Sequence, residues 1–392
     1  MKYAAGLLVV AVIAFFTHSA SLISGIRADR SIDTIFNPLS PLASVVRGVD
    51  EFYFTKPVIV EKLGLDASLR TPAKTQTKPN ITVLVVGETA RSMNFSLFGY
   101  ARQTNPELSK RDDLILFPGT TSCGTLTADS LPCMFSNLTR ANFSRQKAAA
   151  SENLLNVLNY AGVRPRWFEA NTGSKGVAAL LGETMLGVGD DPRFCRDNEC
   201  TDGVLVEKLK QILPTLQGNS VIVLHQIGSH GPAYFMRYDE DFKPFGPDCR
   251  SSDFKQCTRD EIVNAYDNTI AFTDKTLAEI IDLLSAADDR VTSSMIYMSD
   301  HGESLGELGL YLHGLPYVIA PKEQTNVPFI AWASKSYMEA RKTSLSCLRS
   351  GTSAVTSHDN FFHTVIGLAG VSTSVYKPEL DVFSQCWENG NN

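Results

Sequence analysis

Three short, nearly continuous apolar runs stand out along the chain beyond residue 80: Ile81 to Val86, Val221 to Leu224 and Met295 to Met298. None alternates polar with apolar residues, so each is predicted as a strand covered on both faces. Between them apolar positions recur at helical spacing, first at Leu154, Leu155, Val157 and Leu158. The same spacing returns at Ile262, Ala265, Tyr266, Ile270 and Ala271, and again at Leu277, Ile280, Ile281 and Leu284. Strands alternating with helices predict an α/β fold with a central, largely parallel sheet sandwiched by helices. No internal repeat is visible.

Ahead of this pattern, residues 3–26 are uncharged and strongly apolar around Leu7 to Phe16, long enough for a membrane-spanning helix. A signal peptide is the competing reading, but for cleavage after Ala20 His18 occupies the third position before the bond, where a small residue is wanted. The expected organisation is a transmembrane helix over 1–26 and a membrane-surface or connecting segment over 27–65. A proline-bounded polar linker over 66–80 then leads to a catalytic domain over 81–392.

Composition narrows the classes. A net charge of -6 without a block of Lys or Arg offers no footprint for a nucleic-acid backbone. Of eight cysteines, six form close pairs, Cys123/Cys133, Cys195/Cys200 and Cys249/Cys257, with Cys347 and Cys386 left over. Disulfides are favoured over zinc thiolates because no pair has C-x-x-C spacing, and they place the bulk of the chain in an oxidising compartment. Oligomeric state is not readable.

Polar residues follow each strand: Glu88 with Thr89, then His225 and His230, then Asp300 with His301. Ligands of open α/β sheets bind beyond the carboxyl ends of the strands, so these groups converge on one crevice. Carboxylates and imidazoles suit zinc, and a turn allowed by Gly302 would let Asp300 and His301 face one ion. His313 offers a further imidazole. Between Cys123 and Cys133 lies a run of hydroxyls; a short disulfide loop would hold one rigidly as a metal-activated nucleophile. Taken alone, that loop reads more readily as a stapled surface loop with ordinary Ser/Thr capping.

Five blocks together resemble the membrane-bound phosphoethanolamine transferases that modify lipid A and other lipopolysaccharide sugars, the polymyxin-resistance type, within the alkaline phosphatase and sulfatase superfamily. They are Val85 to Arg91, Gly99 to Thr104, Ser122 to Cys133, His225 to Pro232, and Ser299 to Glu307 followed by His313-Gly314. The resemblance implies a zinc ion held by Glu88, Asp300, His301 and the hydroxyl of Thr127. It implies that His230 and His313 serve a second metal or the substrate phosphate, and that Asn171 and Lys175 contact phosphoethanolamine. It further implies that Thr127 takes phosphoethanolamine from phosphatidylethanolamine, releases diacylglycerol and passes the group to an acceptor, with His230 or His313 moving the proton. The expected location is the bacterial inner membrane, with the catalytic domain in the periplasm. His225 reads as core or as support to the site, and His358 and His363 as structural.

Members of that family carry more membrane helices than the single candidate here, so the chain reads as a truncated form or one starting at an internal methionine. A related sulfatase or phosphodiesterase is the first alternative; the C-x-P-x-R sulfatase pattern is absent at Cys133 to Asn137. A non-catalytic periplasmic binding module is the second, and retention of Glu88, Thr127, Asp300 and His301 argues against it.

Overall fold

The computed structural model describes residues 59–196 and 199–387. The apolar segment 1–26 and most of the expected membrane-surface segment lie outside the described residues. Among those described, no helix is long and apolar enough to cross a membrane.

An eight-stranded sheet runs through the domain. Its strands are β1 (Asn80–Gly87), β2 (Ile115–Thr121), β3 (Arg164–Glu169), β4 (Thr184–Met185), β5 (Ser220–His225), β6 (Thr292–Ser299), β9 (Asn326–Ala333) and β10 (Thr356–Ser357). A separate small hairpin is formed by β7 (Ser304–Leu305) and β8 (Tyr311–Leu312). The order across the sheet is β10-β2-β9-β6-β1-β5-β3-β4. The three apolar runs become its adjacent central strands β6, β1 and β5, all parallel. β9 runs antiparallel to both of its neighbours, so the sheet is mixed.

Alternate residues of the central strands enter two cores. Ile81, Val83, Val85, Met295 and Tyr297 pack with helices α3 (Gly203–Ile212) and α4 (Arg259–Ala286). Leu84, Val86, Ile296 and Met298 pack with α1 (Thr127–Phe135), α2 (Leu154–Tyr160) and α5 (Phe361–Leu368) on the other face. Each buried aliphatic side chain contributes about 1.5–3 kcal/mol, which is why these strands carry no polar alternation.

The two helical patterns over 262–284 are one helix of 28 residues. A capping box starts it: Thr258 Oγ1 accepts from the Glu261 amide, and Glu261 Oε2 accepts from the Thr258 amide. All eight cysteines are paired, including Cys347 with Cys386, which sequence spacing left without partners. In the 66–80 segment, Ser68–Leu69 pair with Val371–Ser372, and Lys78 Nζ donates to the Asp288 carbonyl at 2.6 Å. That segment is therefore tied to the domain near both of its ends.

Candidate active site

Glu88 leaves the carboxyl end of β1, and Asp300 and His301 leave that of the adjacent β6. Parallel pairing puts both ends on one edge of the sheet, so the three side chains meet although 212 positions separate Glu88 from Asp300 in sequence. Their ligand atoms lie within 4.8 Å of one another, fully buried, in an arrangement able to hold a metal ion.

The backbone that aims them is strained at one position. Thr89, a β-branched residue, sits at φ +59°. Its hydroxyl donates to Glu88 Oε1 at 2.6 Å while its amide donates to Asp300 Oδ1 at 3.1 Å. One residue thus orients both carboxylates. Asp300 Oδ1 also accepts from the His301 amide at 2.7 Å. Asp300 Oδ2 is buried without a hydrogen-bond partner. The Gly302 carbonyl lies 3.0 Å from His301 Nδ1, which places the proton on that nitrogen and leaves Nε2 to face the carboxylates. A carboxylate oxygen without a hydrogen bond, set 3.4 Å from an imidazole nitrogen that also lies 3.4 Å from a second carboxylate, is a donor set that fits zinc. Gly302 serves by close approach, since a Cβ there would strike the Glu323 carbonyl. At Gly228, φ is +53° and a Cβ would lie 2.6 Å from the Glu88 carbonyl, so glycine lets the β5 loop press on the Glu88 backbone.

Burial by itself would raise the Glu88 carboxyl, but the hydrogen bond and charge of His301 outweigh it and hold Glu88 well below the usual carboxylate range. Burial, reinforced by the charge of Glu88, raises Asp300 to about 7. Burial opposes the charge on His301, yet Asp300 and Glu88 together raise it to about 10. The pocket therefore favours a positive charge among its carboxylates.

Thr127 is the first residue of α1, whose start has no side-chain cap. Its Oγ1 lies 3.0 Å from Glu88 Oε2 and 3.5 Å from His301 Nε2. α1 is short, nine residues, with Pro132 inside it, where the ring removes one backbone donor. The Cys123–Cys133 disulfide joins the loop before α1 to its body. His313 lies beside His301 with ring centroids 4.4 Å apart and planes tilted by 44°, and the His230 ring centre lies 5.7 Å from that of His313. Burial pushes His230 down to about 4.

Asn171 joins the cluster by donating Nδ2 to Glu88 Oε2 at 2.7 Å. Lys175 does not: its ammonium bonds Thr172, and it lines a cavity of about 340 Å³ with Ala128, Pro132 and Arg145. His225 is buried under the site, with Nδ1 2.8 Å from Glu169 Oε2; Glu169 Oε1 accepts from the Asn171 amide. His363 Nδ1 accepts from the Lys377 amide, a structural contact. The sequence pattern did not reveal the orienting part of Thr89 or the support given by Glu169. Only Thr89 left a signal, by lying beside Glu88.

A fold of this topology with a buried Glu-Asp-His cluster and a hydroxyl at a helix start defines a sulfatase-type domain, and the sulfatase family profile matches residues 80–371. The chain is 40% identical over 386 residues to phosphoethanolamine transferase EptA of Salmonella typhimurium, covering 97% of this chain and 69% of that protein. It is 36% identical to phosphatidylethanolamine transferase Mcr-1 of Escherichia coli over 95% of this chain and 68% of that protein. The integral membrane lipooligosaccharide phosphoethanolamine transferase A of Neisseria meningitidis superposes with a TM-score of 0.83 at 36% identity, covering 98% of this chain and 71% of that one. The chain belongs to the phosphoethanolamine transferases. It spans between 59% and 69% of the length of the first curated relatives.

Proposed function

We propose that the protein transfers phosphoethanolamine from phosphatidylethanolamine to lipid A, or to another lipopolysaccharide sugar or phosphate, through a covalent intermediate on Thr127. The observation that carries this reading is the position of Thr127 Oγ1 against Glu88 and His301, beside an Asp300 Oδ2 that makes no hydrogen bond. Glu88, Asp300, His301 and Thr127 would hold one zinc ion, and His230 and His313 a second metal or the substrate phosphate. Bound zinc supplies Lewis acidity that eases ionisation of the hydroxyl and offsets phosphodiester charge.

In the first half-reaction Thr127 Oγ1 bonds to phosphorus, the phosphorus–glycerol oxygen bond breaks, and the diacylglycerol oxygen takes up a proton. In the second, an acceptor oxygen bonds to phosphorus, the bond to Oγ1 breaks, and the threonine hydroxyl is restored. His230, whose ring centre lies 5.7 Å from that of His313, would receive and return the proton with His313 as its neighbour. The uncapped amides at the start of α1 face an anion favourably. Asn171 would touch the transferred group while bracing Glu88, and Lys175 would reach it from the adjacent cavity. Four disulfides suit a periplasmic domain, with residues 1–26 as its inner-membrane anchor.

The test is mass spectrometry after incubation with zinc and phosphatidylethanolamine, wild type beside Thr127→Ala. An adduct of phosphoethanolamine mass on the Thr127 peptide, absent from the variant, supports the reading. A zinc-loaded wild type that forms no adduct, even with a soluble short-chain donor, refutes it.

A further inference from the structure

Beyond the β7–β8 hairpin the chain passes His313 and runs Gly314-Leu315-Pro316-Tyr317-Val318-Ile319 across the hydroxyl loop. Two hydrogen bonds fix it there. Thr125 Oγ1 donates to the Leu315 carbonyl at 2.6 Å, and the Tyr317 hydroxyl donates to the Ser122 carbonyl at 2.9 Å. Directly after these anchors, Val318 is 97% and Ile319 68% exposed. Two adjacent aliphatic side chains held outward add little to the core and order water around them, a cost that an apolar partner surface would relieve.

The surroundings select that partner. The Arg140 guanidinium stacks 4.0 Å from the centre of the Tyr317 ring, and exposed Lys322 opens the next helical turn. An aliphatic tip beside a tyrosine and two cations matches a lipid interface: the aliphatic groups enter the headgroup–acyl boundary while the cations meet phosphates. The patch also adjoins the loop that carries Thr127. We propose that Val318 and Ile319 dock the mouth of the site on a phospholipid surface, bringing Thr127 to a phosphodiester still seated in its bilayer. Withdrawing two acyl chains into water is far costlier than bringing the mouth to the headgroups. The proposal rests on the reading of the donor as phosphatidylethanolamine.

The test uses the full chain reconstituted in phosphatidylethanolamine vesicles. Val318→Trp is expected to add tryptophan emission that lipid brominated in its acyl chains quenches, beyond the quenching of wild type. Val318→Asp combined with Ile319→Asp is expected to lower turnover of vesicle phosphatidylethanolamine about tenfold, the loss from removing two partly buried aliphatic contacts. The same variant leaves turnover of a soluble short-chain donor unchanged. Unquenched emission from the introduced tryptophan, quenching only on self-association without lipid, or equal loss on both donors overturns the proposal. Should wild type turn over neither donor, the donor reading fails, while the quenching still decides whether the tip meets lipid.

Discussion

His358 Nδ1 accepts the backbone N–H of Cys123 at 3.0 Å, and the opposite ring nitrogen donates to the Ser299 carbonyl, also at 3.0 Å. One buried imidazole thereby joins the loop leading to Thr127 with the end of the strand that delivers Asp300 and His301. His358→Leu, which leaves two backbone groups unpaired, is expected to lower stability by about 2–4 kcal/mol. Denaturant unfolding measures it. A loss under about 1 kcal/mol would mean that water replaces the bridge.

The same residue gives acid sensitivity a sign. Burial pushes His358 down to about 3, against an ordinary value of 6.5, with the Ser299 carbonyl opposing only in part. The folded state thus binds fewer protons than the unfolded chain. Its contribution is fully present above pH 6.5 and is lost as pH falls from 6.5 toward 3. Unfolding free energy is expected to drop across that window, and His358→Gln to flatten the slope relative to wild type. An unchanged slope would assign the acid response to other groups.

Asp300→Asn removes the charge from a carboxylate whose Oδ2 has no hydrogen bond and lies 3.4 Å from His301 Nε2. Zinc is expected to raise the unfolding free energy of wild type by about 2.7 kcal/mol at a hundredfold excess over its dissociation constant, and to leave the variant nearly unmoved. Thermal scans with and without zinc, beside metal analysis of the dialysed protein, provide the comparison. Equal metal content in both proteins would remove Asp300 from the ligand set.

Thr89 separates positioning from packing. Thr89→Gly relieves the φ +59° backbone but loses the hydroxyl bond to Glu88, two effects of about 1 kcal/mol each with opposite sign. Stability should therefore stay near wild type while zinc affinity falls about 10- to 100-fold as the carboxylates loosen. Thr89→Ser, which keeps the hydroxyl, should restore most of that affinity. Titration with a competing chelator reads both, and unchanged affinity in Thr89→Gly would make the residue a bystander.

The central strands and the residues at their ends were legible before any folding was considered. A strand buried on both faces must be apolar throughout, and parallel neighbours must release their polar ends on one edge, so Glu88, Asp300 and His301 stood out as a group. The outer sheet did not. Pro118-Gly119 reads locally as a turn, yet it lies within β2, where Phe117 stacks on Phe329 of antiparallel β9 at 4.3 Å. Tertiary packing also decided the pairing of Cys347 with Cys386, the bridge by His358 and the left-handed backbone of Thr89. It turned Asn171 onto Glu88 and left Lys175 on Thr172. Hydrophobic period reports only which face of an element is buried. Which distant carbonyl an imidazole reaches, or which strand enters between two others, depends on how those faces close on one another.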